Sequence, residues 1–111
     1  MRHRIYPAAR HRLIEIWRYT DRIWEEKLAD QYTHGLYRAI EKAASSRHLW
    51  RKLEHEEIAG IFFVRYKHHY IFFRELEKGV LGVVNVLHEN MDIPNRLKED
   101  SNNTVAEESR G

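Results

Sequence analysis

The apolar residues of this chain change their spacing once, near residue 46, and that change limits the fold more than any other feature. Before it, Leu13, Ile16, Trp17, Thr20, Ile23 and Trp24 recur at three- and four-residue steps, one face of an amphipathic helix. Ala29, Tyr32, Leu36, Ile40 and Ala43 repeat the pattern. Only residues 25–28 separate the two stretches, so the spacing predicts an antiparallel helical hairpin, ended by Ser45-Ser46. After the change, residues 58–66, 69–76 and 80–87 are runs of β-branched and aromatic side chains that suit strands. Glu77-Lys78-Gly79 reads as a hairpin turn, because glycine takes a positive φ without steric cost; Lys67-His68 is a weaker turn signal. Residues 2–6 form a short opening strand stopped by Pro7, and residues 47–57 a charged loop with Leu49, Trp50 and Leu53 pinned to the core.

The order strand, two helices, three strands is α+β: a β-α-α-β-β-β chain with the helical hairpin packed on one face of a small antiparallel sheet. The reading places a single domain at residues 1–98 and a disordered acidic tail at 99–111. Residues 1–98 carry 18 basic and 13 acidic side chains, whereas the tail carries Arg110 against Glu99, Asp100, Glu107 and Glu108. A mildly basic body of this kind can meet an acidic protein or a nucleic-acid complex, or can simply be a solvated surface.

Several classes drop out. With no cysteine there is no disulfide framework, thiolate metal site or cysteine nucleophile, which fits a reducing cytoplasm. The longest apolar stretches, 58–64 and 80–87, fall far short of the roughly 20 residues a membrane span needs. No signal-peptide pattern is seen, so the expected location is cytoplasmic, with no membrane partner. His11, His34, His48, His55 and His88 lack a second histidine at helical ligand spacing, and His68 and His69 would point to opposite faces of a strand. No metal and no cofactor are expected. The serines lack a nucleophile-elbow context and the glycines are scattered, so the usual enzyme motifs are absent.

What remains is an aromatic and basic sheet. Phe62, Val64 and Tyr66 alternate with Phe63 and Arg65, and Tyr70, Phe72 and Arg74 alternate with Ile71 and Phe73. One face must pack on the helices. The other would then present aromatic and basic groups, able to stack nucleotides or to bind a protein, unless both faces are buried.

Three stretches carry a resemblance. Residues 13–20 (Leu-Ile-Glu-Ile-Trp-Arg-Tyr-Thr), with Ile23-Trp24 and Ala29-Asp30-Gln31-Tyr32, look like the first helical hairpin of ParE-type toxins of the RelE/ParE superfamily. His69-Tyr70-Ile71-Phe72-Phe73-Arg74 resembles that family's His-x-Ile-Phe-Tyr-Arg strand. Residues 83–92, with Leu87-His88-Glu89-Asn90-Met91-Asp92 at their end and Arg96-Leu97 following, are similar to its closing strand. The chain departs from the pattern at Glu25, where glycine is common, and at Phe62 and Asn85, where arginine is common.

The resemblance implies the toxin half of a type II toxin–antitoxin pair, neutralised by a cognate ParD-like antitoxin. ParE-type toxins bind DNA gyrase and trap its cleaved-DNA complex without chemistry of their own, so a non-enzyme without direct sequence-specific nucleic-acid binding is expected. RelE-type relatives are ribosome-dependent mRNA endonucleases; on that alternative Arg65, Arg74 and His88 would be catalytic. A non-toxic relative that only binds an antitoxin is a third version. The antitoxin would dock on the helical hairpin through Trp17, Tyr19, Trp24, Tyr32 and Tyr37, and the target would meet Arg74, His88, Met91, Arg96 and Lys98. His88 has a second role open to it, orienting the following turn, and Met91 another as a lid on the core. Asp92 before Ile93-Pro94 reads as a turn or helix-cap residue.

Overall fold

The structure, a computed structural model, describes residues 2–77 and 79–100. Strand β1 (Arg2–Ile5) leads into helices α1 (Pro7–Ile23) and α2 (Glu26–Ser45), and strands β2 (Arg51–Lys52), β3 (Phe62–Tyr66), β4 (His69–Glu77) and β5 (Val80–His88) follow. Residues 93–100 form a further helix, α3. Pro7 starts α1, where its fixed φ suits the first turn and its missing N–H is not needed. Gly35 lies inside α2 because a Cβ there would overlap the hydroxyl and ring of Tyr66 on β3. The missing side chain lets helix and strand close on each other. Gly79 takes φ +78° in the β4–β5 turn; Lys78 beside it lies outside the described residues.

The strands lie in the order β1-β5-β4-β3-β2. Neighbours from β5 to β2 are antiparallel, as expected, but β1 runs parallel to β5 with Arg2 opposite Val80 and Ile5 opposite Val83. The all-antiparallel expectation is corrected here. Since nearly the whole chain separates these two strands, no tight turn dictates their relative direction.

The hairpin covers one face of the sheet. Leu13 of α1 and Leu36 and Ile40 of α2 pack there on Ile71, Phe73, Val83 and Val86. The other face is largely covered instead of presenting its aromatic rings to solvent, although Arg51 and Arg65 stay exposed at its margin. Phe72, Val84 and Leu87 are buried there with Ile61 and with Leu97 of α3, and Leu53, Ile58, Phe63, Tyr70 and Ile93 close around them. Ile93 and Leu97, four positions apart, make the apolar stripe that seats α3. Glu99 and Asp100, which the sequence reading gave to the tail, belong to this helix; residues 101–111 lie outside the described residues. In the connection after α2, Trp50 packs on Phe62 and Phe73 while Leu49, expected in the core, is exposed.

Candidate functional site

β1 pairs with β5 only as far as Val83, so among the described residues the outer edge of β5 continues towards His88 without a strand beside it. A cleft of about 730 Å³ lies at this end of the molecule, between α1, Tyr32 of α2, the β3–β4 turn and the end of β5. α1 lines it with Arg12, Glu15, Ile16, Tyr19 and Arg22, which share one helical face, and with Arg18 beside them. Trp24, the residue that ends α1, is 70% exposed at its rim, and Tyr19 is 58% exposed. Val86, His88, Asn90 and Met91 supply the opposite wall. Among the described residues, neither Arg18 nor Arg22 has a carboxylate partner; the Arg22 guanidinium lies 5.7 Å from the Tyr19 ring.

Three histidines meet at the cleft's inner end. His69 and His88 are directly opposite on β4 and β5, with ring centroids 5.0 Å apart and nearly perpendicular planes. His68 stacks on His88 at 6.2 Å. The Tyr32 hydroxyl shares a 2.8 Å hydrogen bond with His69 Nδ1. Burial pushes His69 down from 6.5 to about 4, helped by His88 and His68, so its ring is neutral at physiological pH. Burial also raises the Tyr32 phenol above its usual 10.0. Glu89 lies 3.2 Å from His68 and 2.7 Å from Arg65, and the hydrogen bond with His68 is the main cause of its lowered carboxyl pKa. In the turn beneath, Lys67 takes φ 51°, a left-handed conformation that is uncommon outside glycine. Its ammonium sits 5.9 Å from the Tyr32 ring and 5.5 Å from Tyr66. Among the described residues no cluster of His, Cys, Asp or Glu could hold a metal ion, and no helix is long and apolar enough to cross a membrane.

The structure regroups the sequence candidates. Tyr19, Trp24 and Tyr32, named for antitoxin binding, and His88 and Met91, named for the target, line the same cleft. Trp17 instead ties the helices together through a 2.9 Å bond to Asp30, and Tyr37 packs on the main core. His88 lines the cleft, and its Nδ1 accepts the Asn90 N–H at 3.1 Å, the turn-orienting bond open to it. Arg96 and Lys98 lie on α3, where Lys98 bonds Glu57 at 2.8 Å. The Arg96 guanidinium is 4.0 Å from Glu99.

Arg65, Arg74 and His88 do not converge. His69, His88 and Ile71 face the hairpin, so by strand alternation Tyr70, Phe72 and Arg74 face α3. Arg74 is also five residues along β4 from the level of His88, roughly 16 Å at about 3.3 Å per residue. Arg65, over the ring of Tyr70, is tied to the Lys67 carbonyl and to Glu89.

Sequence reasoning missed Arg12, Arg18, Arg22, His68 and His69 as cleft residues, although the α1 stripe Arg12-Glu15-Tyr19-Arg22 was a usable signal. It also missed a buried polar knot. β5 bulges where Phe72 pairs with Asn85 but Phe73 pairs with Val83, and Asn85 there is 1% exposed. Its Nδ2 donates to Asp100 at 2.7 Å, its Oδ1 accepts the Val86 N–H at 2.9 Å, and Asp100 pairs with Arg12 at 3.1 Å. Asn85 thus fastens the end of α3 to α1.

A family model described as the ParE toxin of the type II toxin–antitoxin system parDE matches residues 4–93. Toxin ParE1 of Mycobacterium tuberculosis, in strains CDC 1551 / Oshkosh and ATCC 25618 / H37Rv alike, is 34% identical over 96 residues, covering 86% of this chain and 97% of the relative. Among solved structures, a chain of the chromosomal ParDE TA system from P. aeruginosa superposes with a TM-score of 0.68 at 11% identity, over 79% of this chain and 95% of that one, a likeness of fold. With the family model matching most of its length and a relative 34% identical over nearly all of its own, the chain belongs to the ParE toxins of type II toxin–antitoxin systems.

Proposed function

We propose that this toxin acts in the cytoplasm by binding DNA gyrase and holding its cleaved-DNA complex, and that a cognate antitoxin neutralises it by filling the cleft. The observation that supports this reading is the shared cleft: Tyr19 and Trp24, proposed for the antitoxin, line it together with His88 and Met91, proposed for the target. An antitoxin seated there covers part of the target surface, so inhibition needs no conformational change. The cleft also has the make-up of a protein-binding hot spot, with exposed aromatic anchors beside Arg18 and Arg22, which have no carboxylate partner among the described residues.

The scatter of Arg65, Arg74 and His88 speaks against a nuclease built on those three residues. Cleaving a phosphodiester needs a base, an acid and a cation within reach of one phosphate. Here two of the three side chains belong to the opposite face of the sheet, and one of those is held by Glu89. The test is purified gyrase on supercoiled plasmid with ATP, the toxin added with and without antitoxin. Cleaved plasmid that accumulates with toxin and disappears with antitoxin is the expected result. Intact plasmid with toxin, combined with ribosome-dependent mRNA cutting that fails in Arg65→Ala, would refute the reading in favour of a nuclease.

A further inference from the structure

The inner end of the cleft satisfies itself. Tyr32 and His69 bond each other, Glu89 holds His68 and Arg65, and His88 Nδ1 takes the Asn90 N–H. Arg12 is also neutralised, by Asp100 at 3.1 Å and Glu15 at 3.4 Å. Among the described residues Glu15 is the only carboxylate lining the cleft, and His11 approaches it as well, at 3.5 Å. The groups left over lie on one short stretch at the mouth: Arg18, Tyr19, Arg22 and Trp24. Arg18 and Arg22 are four positions apart, about 6 Å along α1 and on one side of it. Neither has a carboxylate partner among the described residues. Tyr19 and Trp24 alternate with them in the sequence and are both exposed, and the Arg22 guanidinium keeps within 5.7 Å of the Tyr19 ring.

Cations that alternate with bare rings suit a polymer that repeats one negative charge and one flat ring in every unit. A single nucleic-acid strand is such a polymer: guanidinium groups follow its phosphates and aromatic side chains stack on its bases. A duplex keeps its bases stacked inside its own helix, so only an unpaired stretch offers ring faces to Tyr19 and Trp24. We propose that the mouth of the cleft binds a short single-stranded stretch of the DNA in the gyrase complex, with Arg18 and Arg22 on its phosphates and Tyr19 and Trp24 against its bases. The inference rests on the reading that the toxin holds gyrase's cleaved-DNA complex, and adds that the toxin grips the DNA itself. Recognition is independent of sequence, because every unit carries the same phosphate and every base has a π-face. An antitoxin seated in the cleft covers the same four side chains, so antitoxin and DNA exclude one another.

Fluorescence anisotropy of a labelled oligothymidylate with the full chain, at pH 8 and across a range of salt, tests this. Two phosphate contacts at about −0.7 each predict a slope of log affinity against log salt of about −1.4. Arg18→Gln or Arg22→Gln should halve that slope, and Trp24→Ala should weaken binding about fivefold to a hundredfold at unchanged slope. Arg51→Gln, on the opposite edge of the sheet, should change neither. Equal affinity for a duplex of the same length, or no loss in both Arg22→Gln and Trp24→Ala, would overturn the proposal. Tighter binding of the matching oligouridylate would give the site to RNA and overturn its assignment to DNA. The gyrase cleavage assay run beside it separates the two readings. Cleaved plasmid made by a toxin that binds no oligonucleotide would overturn the strand site and leave the gyrase reading standing. Oligonucleotide binding without cleaved plasmid would keep the strand site and remove the gyrase reading. Should a variant fail to fold, the wild-type salt slope and the preference for single strand over duplex decide.

Discussion

Leu97→Ala asks whether α3 is part of the domain or an appendage. Leu97 is 2% exposed and packs among Ile61, Phe72, Val84 and Leu87. Returning its three outer carbons to water forfeits about 2 kcal/mol of apolar burial. The sheet beneath is braced on its other side by the helical hairpin and cannot sink into the gap, which adds about 1 kcal/mol for the cavity. A loss of about 3 kcal/mol is expected, or a fall in Tm of roughly 12 °C at about 4 °C per kcal/mol for a domain of this size. Urea unfolding followed by tryptophan fluorescence and circular dichroism should show the midpoint shift at constant slope. Lys98→Ala, which removes only the exposed pair with Glu57, serves as the control and should cost no more than about 1 kcal/mol. A loss below about 1 kcal/mol for Leu97→Ala would refute the reasoning: α3 would then be loosely seated and the second sheet face would not be core.

Three further outcomes can be checked with the same protein. Trp24→Ala should weaken antitoxin binding at least about tenfold in calorimetry. Because the ring is 70% exposed, Tm should move by no more than about 2 °C; a collapse in stability would make it a core residue. Stability should fall as pH drops from about 6.5 towards 4, because the unfolded chain takes up a proton at His69 that the buried ring refuses until about pH 4. His69→Gln should flatten that limb, and an unchanged slope would show that His69 is not its source. Gly35→Ala gains about 1 kcal/mol of intrinsic helix propensity, yet it should still destabilise by about 1–2 kcal/mol through overlap with Tyr66. Net stabilisation in urea would mean that the Tyr66 ring moves freely away.

The helical hairpin and the three long strands were readable because each follows one period. Leu13, Leu36 and Ile40 fall where a 3.6-residue repeat puts them, and Ile71 and Phe73 alternate with Tyr70 and Phe72 across the sheet. α3 was not readable as a helix, since it offers only Ile93 and Leu97 as an apolar pair, even though Asp92 was recognised as a candidate cap and its carbonyl does accept the Arg96 N–H at 3.0 Å. The parallel partner of β1 lies at the far end of the chain, where local spacing carries no information. The cleft suffered from the same limit, being assembled from α1, one residue of α2, a turn and the end of β5. Aromatic side chains at the margin of an apolar stripe are ambiguous by pattern, which is why Trp17 and Tyr37, both used in packing, were grouped with the exposed Tyr19 and Trp24.

The parallel pairing of Arg2 with Val80 has a consequence for synthesis. β1 is made before β5 and has nothing to pair with until β5 follows, so the longest-range strand pairing of the fold must close late. The β3–β4–β5 meander, made of near neighbours, can form beforehand and present a finished edge. The wall of the cleft contributed by His88 and Met91 is likewise made only after both helices and the rest of the meander. The cleft, with α1 on one side and the end of β5 on the other, is therefore assembled across almost the whole span of the fold rather than within any one local unit of it.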